Sequence, residues 1–226
     1  MRILGIETAT AVCSAALVLD GRVEAESLLD AGRVHSEKLM SQVIAVLGPA
    51  GVGSLEGVAV SIGPGSFTGL RIGVSVAKGI AYARGIPIAG VPTLGALALH
   101  AVSTDRLSEG TRLLAALDAR RDEVYCQLFE VTHGEPLPLW EARDMTLGAL
   151  AGEMQGAAAS VTGEAAAKIL SWPGAGAGLR AVSAGALLAS GGSVGLLGER
   201  LLRAGKGDDP ASLEPMYIKE FFFKSR

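Results

Sequence analysis

Two acids stand where short apolar runs end. Glu7 closes Arg2-Ile3-Leu4-Gly5-Ile6, and Asp118 closes Leu113-Leu114-Ala115-Ala116-Leu117. Both runs read as buried strands. A carboxylate at such a strand end can hold a metal or a water near a nucleotide in a two-domain phosphotransfer fold. It can also simply cap a turn, and the residues alone favour the cap. The three histidines offer less. His35 sits at a helix start in Val34-His35-Ser36-Glu37 and reads as a local structural contact. His100 lies among alanines and leucines, and His133 precedes Gly134 in a turn. None has a histidine partner four residues away, so a zinc-binding helix is missing. Gly65-Ser66-Phe67-Thr68-Gly69 has the glycine spacing of a nucleophile elbow, but Phe67 occupies the position the nucleophile needs. Cys13 and Cys126 are too few for a disulfide framework and fit a reducing compartment.

The stretch that positions everything else is Ser61-Ile62-Gly63-Pro64-Gly65-Ser66-Phe67-Thr68-Gly69-Leu70-Arg71-Ile72-Gly73. It follows the apolar run Gly57-Val58-Ala59-Val60, a buried strand. Gly63 and Gly65 bracket Pro64 and make a sharp, pre-shaped turn. Ser66 and Thr68 offer N-cap oxygens for a helix reaching about Arg84. Gly69, Gly73, Ala77 and Ala81 recur every four residues and make one helix face nearly smooth. Leu70, Ile72, Val74, Val76 and Ile80 cover most of the rest, leaving a polar stripe of Arg71, Ser75, Lys78 and Tyr82. Gly73 and Gly79 each cost the helix about 1 kcal/mol against alanine. Close approach of another element offsets that cost, either inside the fold or against a partner subunit. A phosphate at the glycine turn is a second reading, although no Gly-Lys-Ser/Thr closes a Walker A motif.

Along the chain, strands are expected over 2–7, 12–19 and 22–29, with Asp20-Gly21 as a hairpin turn. A helix from about His35 carries Leu39, Met40, Val43, Ile44 and Leu47 on one face. A strand at 57–62, the small-faced helix, a short strand at 86–89 and a helix from Thr93 follow. The order then begins again: strands at 113–118 and 122–131, a third near 137–143, a helix at 146–154, a strand at 159–162 and a helix at 164–170. After a glycine-rich loop at 172–178, helical pieces are expected between 184 and 204, interrupted near Gly191-Gly192. The repetition implies two similar subdomains, 1–104 and 105–226. The chain of 226 residues is 49% hydrophobic and 19% charged, so a large core is easily built. Aromatics are only 4%, and three of the five phenylalanines, Phe221, Phe222 and Phe223, fall in the tail. That tail folds back on its own domain or docks on a partner. The net charge of −3 argues against unaided nucleic-acid binding. No apolar run is long enough to span a membrane. The opening lacks a signal-peptide layout, so a cytoplasmic location is expected.

Gly63 to Gly73 resembles the signature of the bacterial TsaB (YeaZ) family. Ile6-Glu7-Thr8-Ala9, His35-Ser36-Glu37, the run from Asp118 to Tyr125 and Pro215-Met216-Tyr217-Ile218-Lys219 are similar to other parts of that family. The resemblance implies an α/β protein of the actin-like ATPase (ASKHA) fold, with two related subdomains, each a mixed β-sheet with helices. It implies a non-catalytic subunit of the machinery that makes threonylcarbamoyladenosine at position 37 of tRNAs reading ANN codons. Catalysis would belong to a paralogue, TsaD, with the ATPase TsaE as a third member. The donor, threonylcarbamoyl-adenylate, would come from a separate synthase.

The catalytic relative holds a metal with His-x-x-x-His, and Thr93 and Leu97 stand at the matching positions here. The resemblance therefore implies no catalytic residue, no metal and no cofactor of this chain's own, with ATP and metal on the partner subunits. The chain would act through its surface. The helices at 35–47 and 68–84, through Leu39, Val43, Gly69, Gly73, Val76, Ala77 and Ile80, would pack on the equivalent pair of the TsaD-like partner, or of a second copy when alone. It would reach tRNA only through the complex. The rival classes are a metal-dependent glycoprotease-like peptidase and an ATP-binding small-molecule kinase of the same fold.

Overall fold

The computed structural model describes residues 1–30 and 35–218. The phenylalanine tail lies outside the described residues. The first five strands form one sheet: β1 (Arg2–Glu7), β2 (Val12–Leu19), β3 (Arg22–Asp30), β4 (Gly57–Gly63) and β5 (Ile88–Pro92), in the order β3-β2-β1-β4-β5. The second sheet holds β6 (Arg112–Asp118), β7 (Glu123–Thr132), β8 (Glu135–Pro138), β10 (Ala159–Thr162) and β11 (Leu179–Ala181), in the order β11-β10-β6-β7-β8, with β9 (Arg143–Thr146) also pairing β7. The two orders are the same pattern: a central strand with an antiparallel meander on one side and two parallel strands on the other. The expected repetition is thus present as topology. The single strand expected near 137–143 is two short ones, β8 and β9, and β11 forms just after the expected loop at 172–178, where no element was expected.

Each sheet buries both faces, and its strands alternate accordingly. In β1, Leu4 and Ile6 face α1 (His35–Leu47) and α2 (Phe67–Arg84), while Ile3 faces α6 (Gly191–Arg203). In β6, Leu114 and Ala116 face α4 (Leu147–Glu153) and α5 (Ala166–Leu170). Leu113, Ala115 and Leu117 face α3 (Thr93–Asp105). The helices that end each repeat are therefore exchanged. α3 follows the first sheet but lays most of its buried face on the second, keeping Ala96 against the first, and α6 follows the second sheet but packs on the first. A division between 104 and 105 separates the sheets, not these helices.

The expected interruption near Gly191-Gly192 is present: a short helical turn at Gly185–Leu187 ends, and α6 begins at Gly191. Ser190 caps it, its hydroxyl accepting from Ser193 N at 3.2 Å. Glycine is required opposite this start, in β1, because a Cβ on Gly5 would collide with the Gly191 carbonyl and the Gly195 backbone. Helix and strand approach closely enough to exclude side chains.

Candidate functional site: a filled glycine corner and an open helix groove

The glycine stretch turns β4 into α2. Ser66 is the N-cap, its Oγ accepting from Gly69 N at 3.2 Å. Ser66 N donates to Ala9 O at 2.6 Å, which ties the corner to the loop after β1. Gly63 N donates to Thr93 Oγ1 at 3.1 Å, and Met216 N donates to Ile62 O at 2.7 Å. Gly63 has φ +123°, and a Cβ there would strike the Met216 carbonyl. The corner is packed from within. The amides of Ser66 and Gly69, which a phosphate would use, are already bound by this chain.

The two strand-end acids have the same local role. Glu7 Oε1 accepts from Ala9 N at 2.6 Å, and Asp118 Oδ1 accepts from Arg120 N at 3.1 Å. Each carboxylate caps the turn two residues on. Their surroundings differ. Glu7 is fully buried, and its Oε2 has no partner among the described residues. Burial pushes its pKa up to about 7 against the pull of the Ala9 amide. Asp118 is half-exposed and paired with Lys168 Nζ at 2.6 Å. Asp118 N donates to Glu164 Oε1 at 3.4 Å. Burial raises the Glu164 pKa as well.

His35 is buried with Nε2 3.0 Å from Val12 O, and His100 Nε2 lies 3.1 Å from Gly185 O, so both are local structural contacts. His133 sits in the expected turn with φ 53°. Thr93 is fully buried with its hydroxyl on the glycine corner, and Leu97 is buried in the core beside the second sheet.

The helix pair is where the expectation needs correction. Leu39, Val43 and Ala77 are 1%, 0% and 0% exposed, inside the core of the first sheet. Gly69 and Gly73 are buried against Thr8: a Cβ on the first would strike the Thr8 carbonyl, and one on the second the Thr8 hydroxyl. The smooth face thus meets this chain's own β1 loop. These five residues cannot touch a partner while the domain stays folded. Val76 and Ile80 are half-buried and do reach the surface.

What faces outward follows from the two helices' flanks. Residues four apart share a helix face. On α2 one flank carries Phe67, Arg71 and Lys78, covered by the C-terminal segment. Arg71 Nε donates to Tyr217 OH at 3.3 Å, and Lys78 Nζ donates to Ala211 O and Leu213 O at 3.2 and 3.1 Å. The opposite flank carries Ile72, Val76 and Ile80. On α1, Gln42 turns toward β2 and β3 through Cys13 O at 2.9 Å and Ser27 O at 3.2 Å. Met40 and Ile44 therefore lie on the side toward α2, 45% and 65% exposed. The two flanks leave Met40, Ile44, Ile72, Val76 and Ile80 partly exposed, an apolar strip bordering the groove between these neighbouring helices. Met40 and Ile44 were legible as part of an apolar helix face; their greater exposure was not.

Two sheets of one pattern with exchanged helices define the actin-like ATPase fold. YeaZ from Pseudomonas aeruginosa has the same architecture (TM-score 0.82, 27% identity, 96% of this chain and 99% of that one). The ethanolamine utilization protein EutJ from Carboxydothermus hydrogenoformans shares the fold at TM-score 0.52 and 12% identity, over 88% of this chain and 90% of that one. A family model described as TsaD, tRNA N6-adenosine threonylcarbamoyltransferase, matches residues 29–136. The tRNA threonylcarbamoyladenosine biosynthesis protein TsaB of Escherichia coli K12 is 41% identical over 142 residues, 60% of each chain. The Bacillus subtilis protein of the same name is 35% identical over 59% of this chain and 57% of that one. The matches span about 60% of the length of these curated relatives. Over these spans the chain is similar to proteins of the TsaB/YeaZ family. No described helix is long and apolar enough to cross a membrane.

Proposed function

We propose that this chain is a non-catalytic subunit of the assembly that forms threonylcarbamoyladenosine at position 37 of tRNAs. In this reading it stabilises a TsaD-like catalytic partner through the groove between α1 and α2. The observation that carries the proposal is the apolar strip beside that groove: five apolar side chains, led by Ile44 at 65% exposed, line the outer surface of a helix pair in a chain similar to TsaB proteins. Adjacent exposed apolar side chains of this kind mark interaction surfaces. A partner built on the same fold would offer a matching helix pair, giving a four-helix contact. The same groove would hold a second copy when the partner is absent. ATP and metal would then sit on the partner and on a TsaE-like ATPase, tRNA would be met only in the complex, and the assembly would work in the cytoplasm.

The test is co-purification with the organism's own TsaD-like protein, followed by a tRNA threonylcarbamoylation assay. The expected result is association and activity for the pair, and no transfer by this chain alone. Turnover by the isolated chain, or no association at micromolar concentration, would overturn the proposal.

A further inference from the structure

The hairpin between β6 and β7 has an unusual backbone. Arg120 and Arg121 have φ 75° and 49° in succession. This left-handed region favours glycine, and side chains other than Asn and Asp enter it at a cost. Elsewhere the chain meets the same demand differently. In the turns Asp20-Gly21 and His133-Gly134, a positive-φ residue is followed by glycine, and Arg106 stands singly at a helix end. Among the described residues, only here do two consecutive positive-φ residues both carry long side chains.

The strained tip is held firmly. Ala119 N donates to Glu123 O at 3.2 Å, and Glu123 N donates to Arg120 O at 3.0 Å. Lys168 Nζ reaches from α5 to Asp118 Oδ1 at 2.6 Å and Glu123 O at 2.9 Å. Leu147 N donates to Asp122 O at 2.7 Å on the other side. With Lys168 on Asp118, the nearest strand-end carboxylate already has a cation. Both arginines are exposed, and neither makes an ion pair with another described residue. Arg71, Arg84, Arg143, Arg200 and Arg203 are engaged within the chain; Arg22, Arg112 and Arg180 also lack an ion pair among the described residues, but none of them has a positive φ or an adjacent arginine. Two adjacent exposed arginines therefore stand on a firmly held backbone, without an ion pair among the described residues, at positions where glycine would be more stable.

We infer that Arg120 and Arg121 are a phosphate-contact point for RNA, used when the chain is part of the tRNA-modifying assembly. The inference rests on the function proposed above and adds the place where this subunit touches the nucleic acid. Planar guanidinium groups bind phosphate oxygens in a bidentate manner, and backbone phosphates position a protein on a nucleic acid without reading its sequence. The net charge of −3 leaves this chain no broad basic footprint. The contact is therefore a local anchor that works beside the partner's own surface.

The experiment uses the full chain in complex with its TsaD-like subunit and an unmodified tRNA transcript as probe. Affinity is measured by fluorescence anisotropy over a range of salt concentrations. R120Q/R121Q removes the charges, and R120G/R121G removes charge and strain together. Both are expected to weaken tRNA binding about tenfold or more. Both are expected to reduce the slope of log affinity against log salt by about 1 to 2. Complex formation should be unchanged, and the glycine variant should melt at a higher temperature than wild type. Arg112→Gln, at the opposite end of β6, should leave the slope unchanged. Wild-type slope and affinity in both double variants would overturn the inference while leaving the proposed function intact. Loss of complex formation by either would also overturn it, assigning the arginines to an acidic protein surface. Failure of the wild-type chain to bind the catalytic subunit would remove both.

Discussion

Arg200 on α6 and Glu135 on β8 face each other with two parallel hydrogen bonds, 2.5 and 2.9 Å long. α6 lies on the first sheet and β8 belongs to the second, so this fork ties the two halves together at the surface. Both side chains are about half-exposed, so solvent screens the pair. Glu135→Gln should lower stability by about 0.5–1 kcal/mol. Urea unfolding in low and high salt checks this: the difference from wild type should shrink as salt rises. A difference independent of salt would mean the fork acts by shape alone.

The glycines of α2 should respond in opposite directions. Gly73 packs on the Thr8 hydroxyl, so Gly73→Ala should destabilise the fold by about 1–3 kcal/mol through overpacking. Gly79 has open space where a Cβ would sit, and Gly79→Ala should stabilise by up to about 1 kcal/mol. Thermal melts of the two variants separate the faces. Equal shifts would contradict the orientation of the helix.

The same logic separates stability from association in the groove. Ile44→Glu should weaken binding to the catalytic partner, or to a second copy, more than tenfold. Its own unfolding free energy should stay within about 0.5 kcal/mol of wild type. Leu39→Ala should cost about 2–5 kcal/mol of stability, because Leu39 is buried in the core. Size-exclusion profiles with denaturation curves read both quantities. An Ile44→Glu profile identical to wild type would place the contact elsewhere.

Glu7 makes the fold sensitive to pH. Its carboxyl holds a proton to about pH 7 when folded, against an ordinary value of 4.5. The folded state thus binds the proton more tightly than the unfolded chain does. The stability linked to Glu7 is full below the ordinary value, erodes as pH rises toward 7, and is lost above it. The size of the gap corresponds to on the order of 3 kcal/mol. Glu7→Gln should flatten the profile and leave the variant more stable than wild type at pH 8. Parallel profiles for the two proteins would rule this out.

The sequence of elements along the chain and the strand-end acids were legible because apolar runs and turn residues are local signals. Asp20-Gly21 fixed its hairpin, Ser66 its cap, and Glu7 and Asp118 their turns. The smooth face of α2 was equally visible, but its partner was not. A stripe of Gly69, Gly73 and Ala77 fits another backbone closely whether that backbone is Thr8 of the same chain or a helix of a second protein. Sequence spacing does not distinguish the two. Gly191 and Gly192 correctly marked a break between helical pieces, but the close approach of Gly191 to Gly5 was not legible. The exchange of α3 and α6 was hidden because an apolar helix face carries no mark of which sheet it will cover. The strain at Arg120 and Arg121 was hidden too, since nothing in Arg-Arg announces a left-handed turn.

The crossing of α3 and α6 makes the two halves mutual hostages. A gene cut between them would yield fragments that each expose a bare sheet and carry a homeless helix. Such pieces should recover structure only when mixed. For the same reason neither repeat can be trimmed away or traded for a foreign copy while the other stays intact. The molecule inherits or loses its architecture as one indivisible unit.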